Sequence, residues 1–172
     1  MSEQYIISID QSTQGTKALL FDSAGNLIRR VDQAHRQIID EKGWVSHDPM
    51  EIYQNIIAVT ARLLEETQID RDKVAGVGIS NQRETSLAWN RITGEPVGLA
   101  VVWQCARAAD LCDQVAAAGH GEKIRRKTGM NLSPYFPASK IAWILRNVEG
   151  ARELSDAGKL CHGTIDSWVI YK

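Results

Sequence analysis

Residues 5–10 and 16–22 are apolar runs of strand length separated by a short polar turn, and they predict two paired strands. Ser23-Ala24-Gly25-Asn26 has turn composition, with Gly and Asn suited to positive φ. Residues 27–38 predict a third strand, which completes a meander, and residues 39–47 read as a loop around Gly43 and Trp44. The spacing then becomes helical. Ile52, Ile56, Val59, Leu63 and Leu64 recur on one face, Asp48 can cap the helix and Pro49 suits its first position, so a helix is predicted to about Thr67. Residues 74–80 form a short apolar run rich in small residues, the pattern of a strand buried on both faces. Further strands are predicted at about 86–90, ending in the turn Arg91-Ile92-Thr93-Gly94, and at 98–103. Helical patterns follow at about 106–118, 120–128, 138–148 and 164–172. A meander, a helix and then alternating strands and helices define an α/β fold. The apolar segment 166–172 has no helix-ending glycine and no polar tail. A piece of a longer protein is therefore expected.

Composition narrows the class. The 172 residues suit one domain or a large part of one, and 44% apolar with 24% charged residues is ordinary for a globular protein. A net charge of -1 excludes the strongly basic surface that drives non-specific nucleic-acid binding. The run Lys123, Arg125, Arg126 and Lys127 reads as a solvated helix face. Three cysteines (Cys105, Cys112 and Cys161) without a Cys-x-x-Cys pair argue against a disulfide framework or zinc site and for a reducing cytosol. No window approaches the roughly 18 apolar residues of a membrane span, and the N-terminus lacks a signal-peptide pattern. A cytoplasmic location is expected.

Chemistry concentrates in four places. Asp10 is followed by the turn Gln11-Ser12-Thr13-Gln14-Gly15, and a tight turn gathers backbone N–H groups into an anion-binding concavity. Its hydroxyls add donors, Lys17 adds positive charge, and Asp10 suits a hydrated magnesium ion. An ordinary hairpin has the same composition. Asn81-Gln82-Arg83-Glu84-Thr85 follows an apolar strand, where open α/β sheets bind ligands. Arg83 offers a fork of donors and Glu84 offers acceptors, a pair suited to neighbouring hydroxyls or to a surface ion bridge. Trp103-Gln104 ends another strand, where an indole can lie on the C–H groups of a polyol or simply fill the core. Ser133-Pro134-Tyr135-Phe136-Pro137 is a rigid loop that can present the Tyr135 hydroxyl. By contrast, Gly76-Val77-Gly78 lacks the third glycine of a dinucleotide fingerprint. Cys105 and Cys112 read as small apolar residues.

Six segments in order carry a resemblance. They are Ile9-Asp10-Gln11-Ser12-Thr13, residues 43–52 (Gly43-Trp44 through Glu51-Ile52), residues 78–85 (Gly78-Ile79 through Glu84-Thr85), Val101-Val102-Trp103-Gln104, Ser133-Pro134-Tyr135-Phe136 and Gly163-Thr164-Ile165-Asp166-Ser167-Trp168. The chain resembles the FGGY carbohydrate kinases, and within them the branch acting on glycerol. That resemblance implies two ribonuclease-H-like domains of the actin and hexokinase type, α/β with a mixed sheet flanked by helices, and a cleft between the domains. Residues 1–172 would be most of the first, substrate-binding domain, with the C-terminal ATP-binding domain outside this chain. It implies ATP and Mg2+ as cofactors. Asp10 would orient metal and phosphate through water, while Gln11, Ser12, Thr13, Gln14, Gly15 and Lys17 meet the phosphates. Arg83, Glu84, Trp103 and Tyr135 would hold glycerol or a related small polyol. The implied partners are a polyol or sugar, ATP and the chain's own C-terminal domain, with no nucleic acid or membrane; a homodimer is left open. The family's catalytic aspartate lies beyond residue 172, so the isolated chain is expected to lack kinase activity.

The departures are specific. Ser12 stands where the family usually has glycine, Gln14 where it has Ser or Thr, and Cys105-Ala106-Arg107 where glycerol-type members have Asp-Arg-Arg. Arg83-Glu84 argue against a xylulose kinase, although another FGGY sugar kinase, for xylulose or erythritol, stays open as to substrate. A non-catalytic actin- or chaperone-like nucleotide module would share the phosphate turn without needing the polyol cluster. A ribonuclease-H-like nuclease would need clustered carboxylates and a basic surface.

Overall fold

A computed structural model describes residues 4–172. In chain order the elements are β1 (Tyr5–Gln11), β2 (Gly15–Asp22), β3 (Leu27–Ala34), β4 (Ile38–Ile39), β5 (Val45–His47), α1 (Pro49–Thr67), β6 (Val74–Asn81), β7 (Ser86–Asn90), β8 (Ala100–Val101), α2 (Ala109–Ala117), α3 (Gly121–Thr128), α4 (Pro137–Asn147), α5 (Ala151–Asp156), β9 (Leu160–Thr164) and α6 (Ile165–Tyr171). They divide into two compact units. The first contains the chain up to Gln37 with Met50–Gln82, and the second Ile38–Pro49 with Arg83–Lys172.

The first unit is a four-stranded mixed sheet in the order β3-β2-β1-β6. The meander β1-β2-β3 is antiparallel, and β6 joins β1 in parallel. Strand alternation puts Ile7, Ile9, Ala18, Leu20 and Val31 in the core, and α1 supplies the matching buried stripe Ile52, Ile56, Val59 and Leu63. Polar bonds tie α1 to β3. Asn55 Oδ1 accepts from Gln33 Nε2 at 2.8 Å, and Arg62 donates to the Asp32 carbonyl at 2.6 Å.

The strand predicted at 74–80 is present, but it is not buried on both faces. Val77 is 58% exposed and Ile79 39% exposed. The reason is its place: β6 is the last strand of the sheet and pairs with β1 alone. A free edge carrying apolar side chains invites strand-to-strand association. We therefore expect Val77→Lys to reduce concentration-dependent self-association of the chain in light scattering. Equal scattering from the variant and the parent chain would refute this.

The second unit is an antiparallel sheet in the order β4-β5-β8-β7-β9. Its core is Val45, Ala88, Val101, Val102, Cys105, Ile144 and Ala151, flanked by the half-buried Trp44, Trp103 and Trp143. Both Cys105 and Cys112 are buried free thiols, as their reading as small apolar residues requires. The third predicted strand stops at Ala34, short of residue 38, and Ile38–Ile39 belong to this second sheet. The predicted loop 39–47 holds the fully buried strand β5. The predicted strand 98–103 shrinks to Ala100–Val101, because the backbone turns at once and Cys105 N donates to Val102 O at 2.9 Å. The four predicted helices appear as α2, α3, α4 and α6, while α5 and β9 are additions. The basic run lies exposed on α3, with Arg125, Arg126 and Lys127 in its last turn, where cations complement the helix dipole. Among the described residues no helix is long and apolar enough to cross a membrane. The same residues contain no cluster of three or more His, Cys, Asp or Glu able to hold a metal.

Candidate functional site

Two constellations carry the candidate chemistry, one in each unit. The first is the β1–β2 hairpin. Asp10 and Lys17 are register partners on neighbouring strands, and Lys17 Nζ lies 2.6 Å from Asp10 Oδ2. Lys17 also pairs in register with Asp32 on β3. Arg30 grips Asp32 through Nε and Nη2, and that hydrogen bonding holds the Asp32 carboxyl below its usual range. Positions 10, 17, 30 and 32 thus place two acids and two bases across three adjacent strands. Arg30 was not anticipated as part of this site. An arginine in a polar strand gives no signal of its own until the strand register is known.

The turn between the strands closes on itself. Gly15 O accepts both from Ser12 N at 2.8 Å and from Ser12 Oγ at 2.9 Å. Gln11 is fully buried. Its amide donates to Ser12 O and accepts from Gln82 Nε2 at 3.2 Å. Its side chain therefore braces the turn from beneath instead of facing a ligand. Beside the turn lies a cavity of about 260 Å³ lined by Ser12, Gln14, Gly15, Thr16, Lys17 and Arg30 among others. Thr16 Oγ1 is buried and has no hydrogen-bond partner among the described residues. Buried hydroxyls are normally satisfied, so an unpaired one on a cavity wall suits a ligand oxygen. Asp10 Oδ2 is taken by Lys17, and Oδ1 accepts nothing from the described residues. One open oxygen suits a hydrated cation held through water, not a chelated one.

The second constellation lies in the other unit. Arg83 and Glu84 sit between β6 and β7, and Glu84 has φ +62, in the left-handed region. A non-glycine residue there is uncommon and strained. Ser86 Oγ donates to Glu84 O at 3.0 Å and steadies the turn. Thr85, fully buried, accepts Trp103 N–H on its hydroxyl at 3.1 Å, which ties the loop after β8 to the residue following Glu84. The Trp103 and Tyr135 rings meet edge to face at 6.0 Å, and Tyr135 meets Phe136 at 5.2 Å. Glu84 is the group that acts most strongly on the Tyr135 phenol. Hydrogen bonding to its carboxylate, followed by desolvation and the carboxylate's charge, raises the phenol above its ordinary pKa, while Arg83 opposes the shift. Glu84, Trp103 and Tyr135 are therefore brought together, with the Arg83 charge close enough to act on the phenol.

Arg107 buttresses this loop. Its guanidinium lies between Trp44 and Trp143, at 5.2 and 5.0 Å from the ring centroids. It donates to Val45 O at 3.1 Å, Ser46 Oγ at 2.6 Å and Cys105 Sγ at 3.1 Å. Cys105 is only 2% exposed. Cys105 is thus an interior thiol facing Arg107, and Ala106 beside it is exposed.

A profile of the FGGY family of carbohydrate kinases, N-terminal domain, matches residues 5–172. The chain is 44% identical over 171 residues to a glycerol kinase of Pseudothermotoga lettingae, covering 99% of this chain and 34% of that protein. It is 46% identical over 173 residues to a glycerol kinase of Vibrio campbellii, covering 100% of this chain and again 34% of the relative. The chain thus spans about a third of the length of these curated relatives. The crystal structure of Plasmodium falciparum glycerol kinase with ADP superposes with a TM-score of 0.89 at 35% identity, over 98% of this chain and 34% of that one. Gluconate kinase from Lactobacillus acidophilus superposes at 0.83 and 24% identity over 99% of this chain and 33% of its own, which speaks to the fold alone. The ribonuclease-H-like α/β fold of the actin and hexokinase type expected from the sequence is the fold observed. On the profile match and on these identities along its whole length, the chain belongs to the FGGY family of carbohydrate kinases.

Proposed function

We propose that this chain is the polyol-binding part of an ATP-dependent kinase that moves the γ-phosphoryl group to a terminal hydroxyl of glycerol or a related small polyol. One observation carries the reading: Glu84, Trp103 and Tyr135 converge within one unit, under the influence of Arg83. An acceptor carboxylate, a phenol that both donates and accepts, and a guanidinium fork suit vicinal hydroxyls. The indole supplies a flat apolar surface for the carbon chain. Family membership and the glycerol kinase relatives support the same substrate class.

Phosphoryl transfer of this kind rests on positioning and on charge stabilisation. Ser12, Thr13, Gln14, Gly15 and Lys17 are assigned to the phosphates, with the open hydroxyl of Thr16 added and Gln11 bracing the turn. Asp10 Oδ1 is the position for a hydrated Mg2+, which when bound neutralises phosphate charge. The base that takes the hydroxyl proton is assigned, on the family resemblance, to sequence beyond residue 172.

Titration calorimetry of the chain with glycerol tests the polyol assignment. Glycerol is expected to give a saturable heat, and Arg83→Ala to weaken binding by roughly tenfold or more, as loss of a charged hydrogen-bonding group does. Arg83 is exposed, so the variant keeps its fold. No heat with glycerol, or an affinity unchanged in Arg83→Ala, would overturn the assignment. A larger response to erythritol or xylulose would move the substrate within the family.

A further inference from the structure

Lys140 stands in the first turns of α4, which begins at Pro137. A lysine on an amphipathic helix ordinarily keeps its ammonium in water. This one is 0% exposed. A buried charge is costly unless it is hydrogen-bonded, and Lys140 Nζ donates to Pro134 O at 2.6 Å and to Tyr135 O. Those two carbonyls belong to the peptide planes on either side of the Tyr135 Cα. Holding both fixes the backbone torsions at that residue, and with them the direction of its Cα–Cβ bond. Tyr135 itself is 38% exposed, so its environment alone does not confine it. Tyr135 N–H is held as well, by Ser133 Oγ at 3.2 Å. From this anchored point the ring reaches Trp103, and the phenol comes under the influence of Glu84.

We propose that Lys140 is a positioning residue of the polyol site: its buried ammonium clamps the backbone on both sides of Tyr135 and so sets the ring against Trp103. It lies behind the site and touches no reacting atom. Burial pushes the ammonium down to about 8, an effect opposed by the thiols Cys105 and Cys112 and by Glu84, the titratable groups that act on it. The clamp is therefore kept although desolvation works against the charge. The consequence for ligand affinity rests on the polyol reading above; the effect on Tyr135 does not.

The test uses the full chain with Lys140→Met, which removes the donors and retains an apolar side chain of similar length. Ultraviolet titration of the phenols, compared between backgrounds with and without Tyr135→Phe, isolates Tyr135 from Tyr5, Tyr53 and Tyr171. In the Lys140→Met chain Tyr135 is expected to titrate lower, toward the ordinary value of about 10, because the displaced phenol escapes the influence of Glu84. Glycerol affinity is expected to fall on the order of tenfold, as loosened site groups do. A folded Lys140→Met chain with an unchanged Tyr135 titration overturns the proposal. A shifted Tyr135 in a chain whose wild type binds no glycerol upholds the clamp and sinks the polyol reading instead. If Lys140→Met does not fold, nuclear magnetic resonance of the wild-type chain decides. A slowly exchanging Lys140 ammonium coupled to the carbonyl carbons of Pro134 and Tyr135 supports the clamp. An ammonium exchanging as fast as surface lysines overturns it.

Discussion

Replacing Trp168 with alanine is expected to lower the unfolding free energy by about 3–5 kcal/mol, the range for truncating a buried aromatic. Trp168 is wholly buried in α6, the largest side chain in the interior. It meets Trp89 of β7 at 5.5 Å and stacks on Tyr171 at 6.3 Å with an interplanar angle of 13°. Its Nε1 donates to Pro49 O at 3.2 Å, at the opening of α1. The side chain thus ties a helix of seven residues to a strand and to Pro49 within the second unit. A helix that short has almost no stability of its own. Removing the indole forfeits ring contacts and a hydrogen bond, and leaves a cavity as well. Against a typical domain stability of about 5–15 kcal/mol, such a loss is a large fraction of the whole. Urea unfolding followed by circular dichroism measures it. A midpoint within error of the wild type would show that α6 does not hold the second unit together.

Gly15→Val is expected to destabilise the first unit by about 1–3 kcal/mol or more, the cost of overpacking. A Cβ at Gly15 would stand 2.5 Å from Gln33 O and 3.0 Å from Ala34 Cα. Both are backbone atoms of β3, so no side chain can rotate aside. The strands must separate, and the Ser12–Gly15 closure of the turn must distort with them. Glycine is required here by close approach of the neighbouring strand. The same urea experiment reads the loss, and amide exchange at the hairpin localises it. Wild-type stability together with wild-type protection of residues 10–17 would refute the account.

The sequence was informative wherever a local pattern determines the outcome. The β1–β2 hairpin, the stripe Ile52, Ile56, Val59 and Leu63, and the helix start at Pro49 need only periodicity and turn chemistry. The apolar run at β6 reports that the strand is suited to burial, not what covers it, so the exposure of its middle residues cannot be read from it. The segment Leu160–Thr164 has a histidine and a glycine at its centre and no run of strong strand formers. It becomes a strand only because β7 offers five residues to pair with. In the site, residue types were legible and backbone conformation was not. Arg83, Glu84, Trp103 and Tyr135 can be named from the sequence, but the left-handed torsion of Glu84 cannot. Lys140 was invisible for a related reason: a lysine in a helical pattern reads as solvent-facing until the carbonyls that receive it are in place.

The left-handed torsion at Glu84 sets backbone relief against side-chain chemistry. Glycine would relieve the main chain there at once, yet it would also erase the carboxylate that acts on the Tyr135 phenol. On the proposed polyol reading, any gain in thermal robustness at this position would thus come with weaker ligand binding.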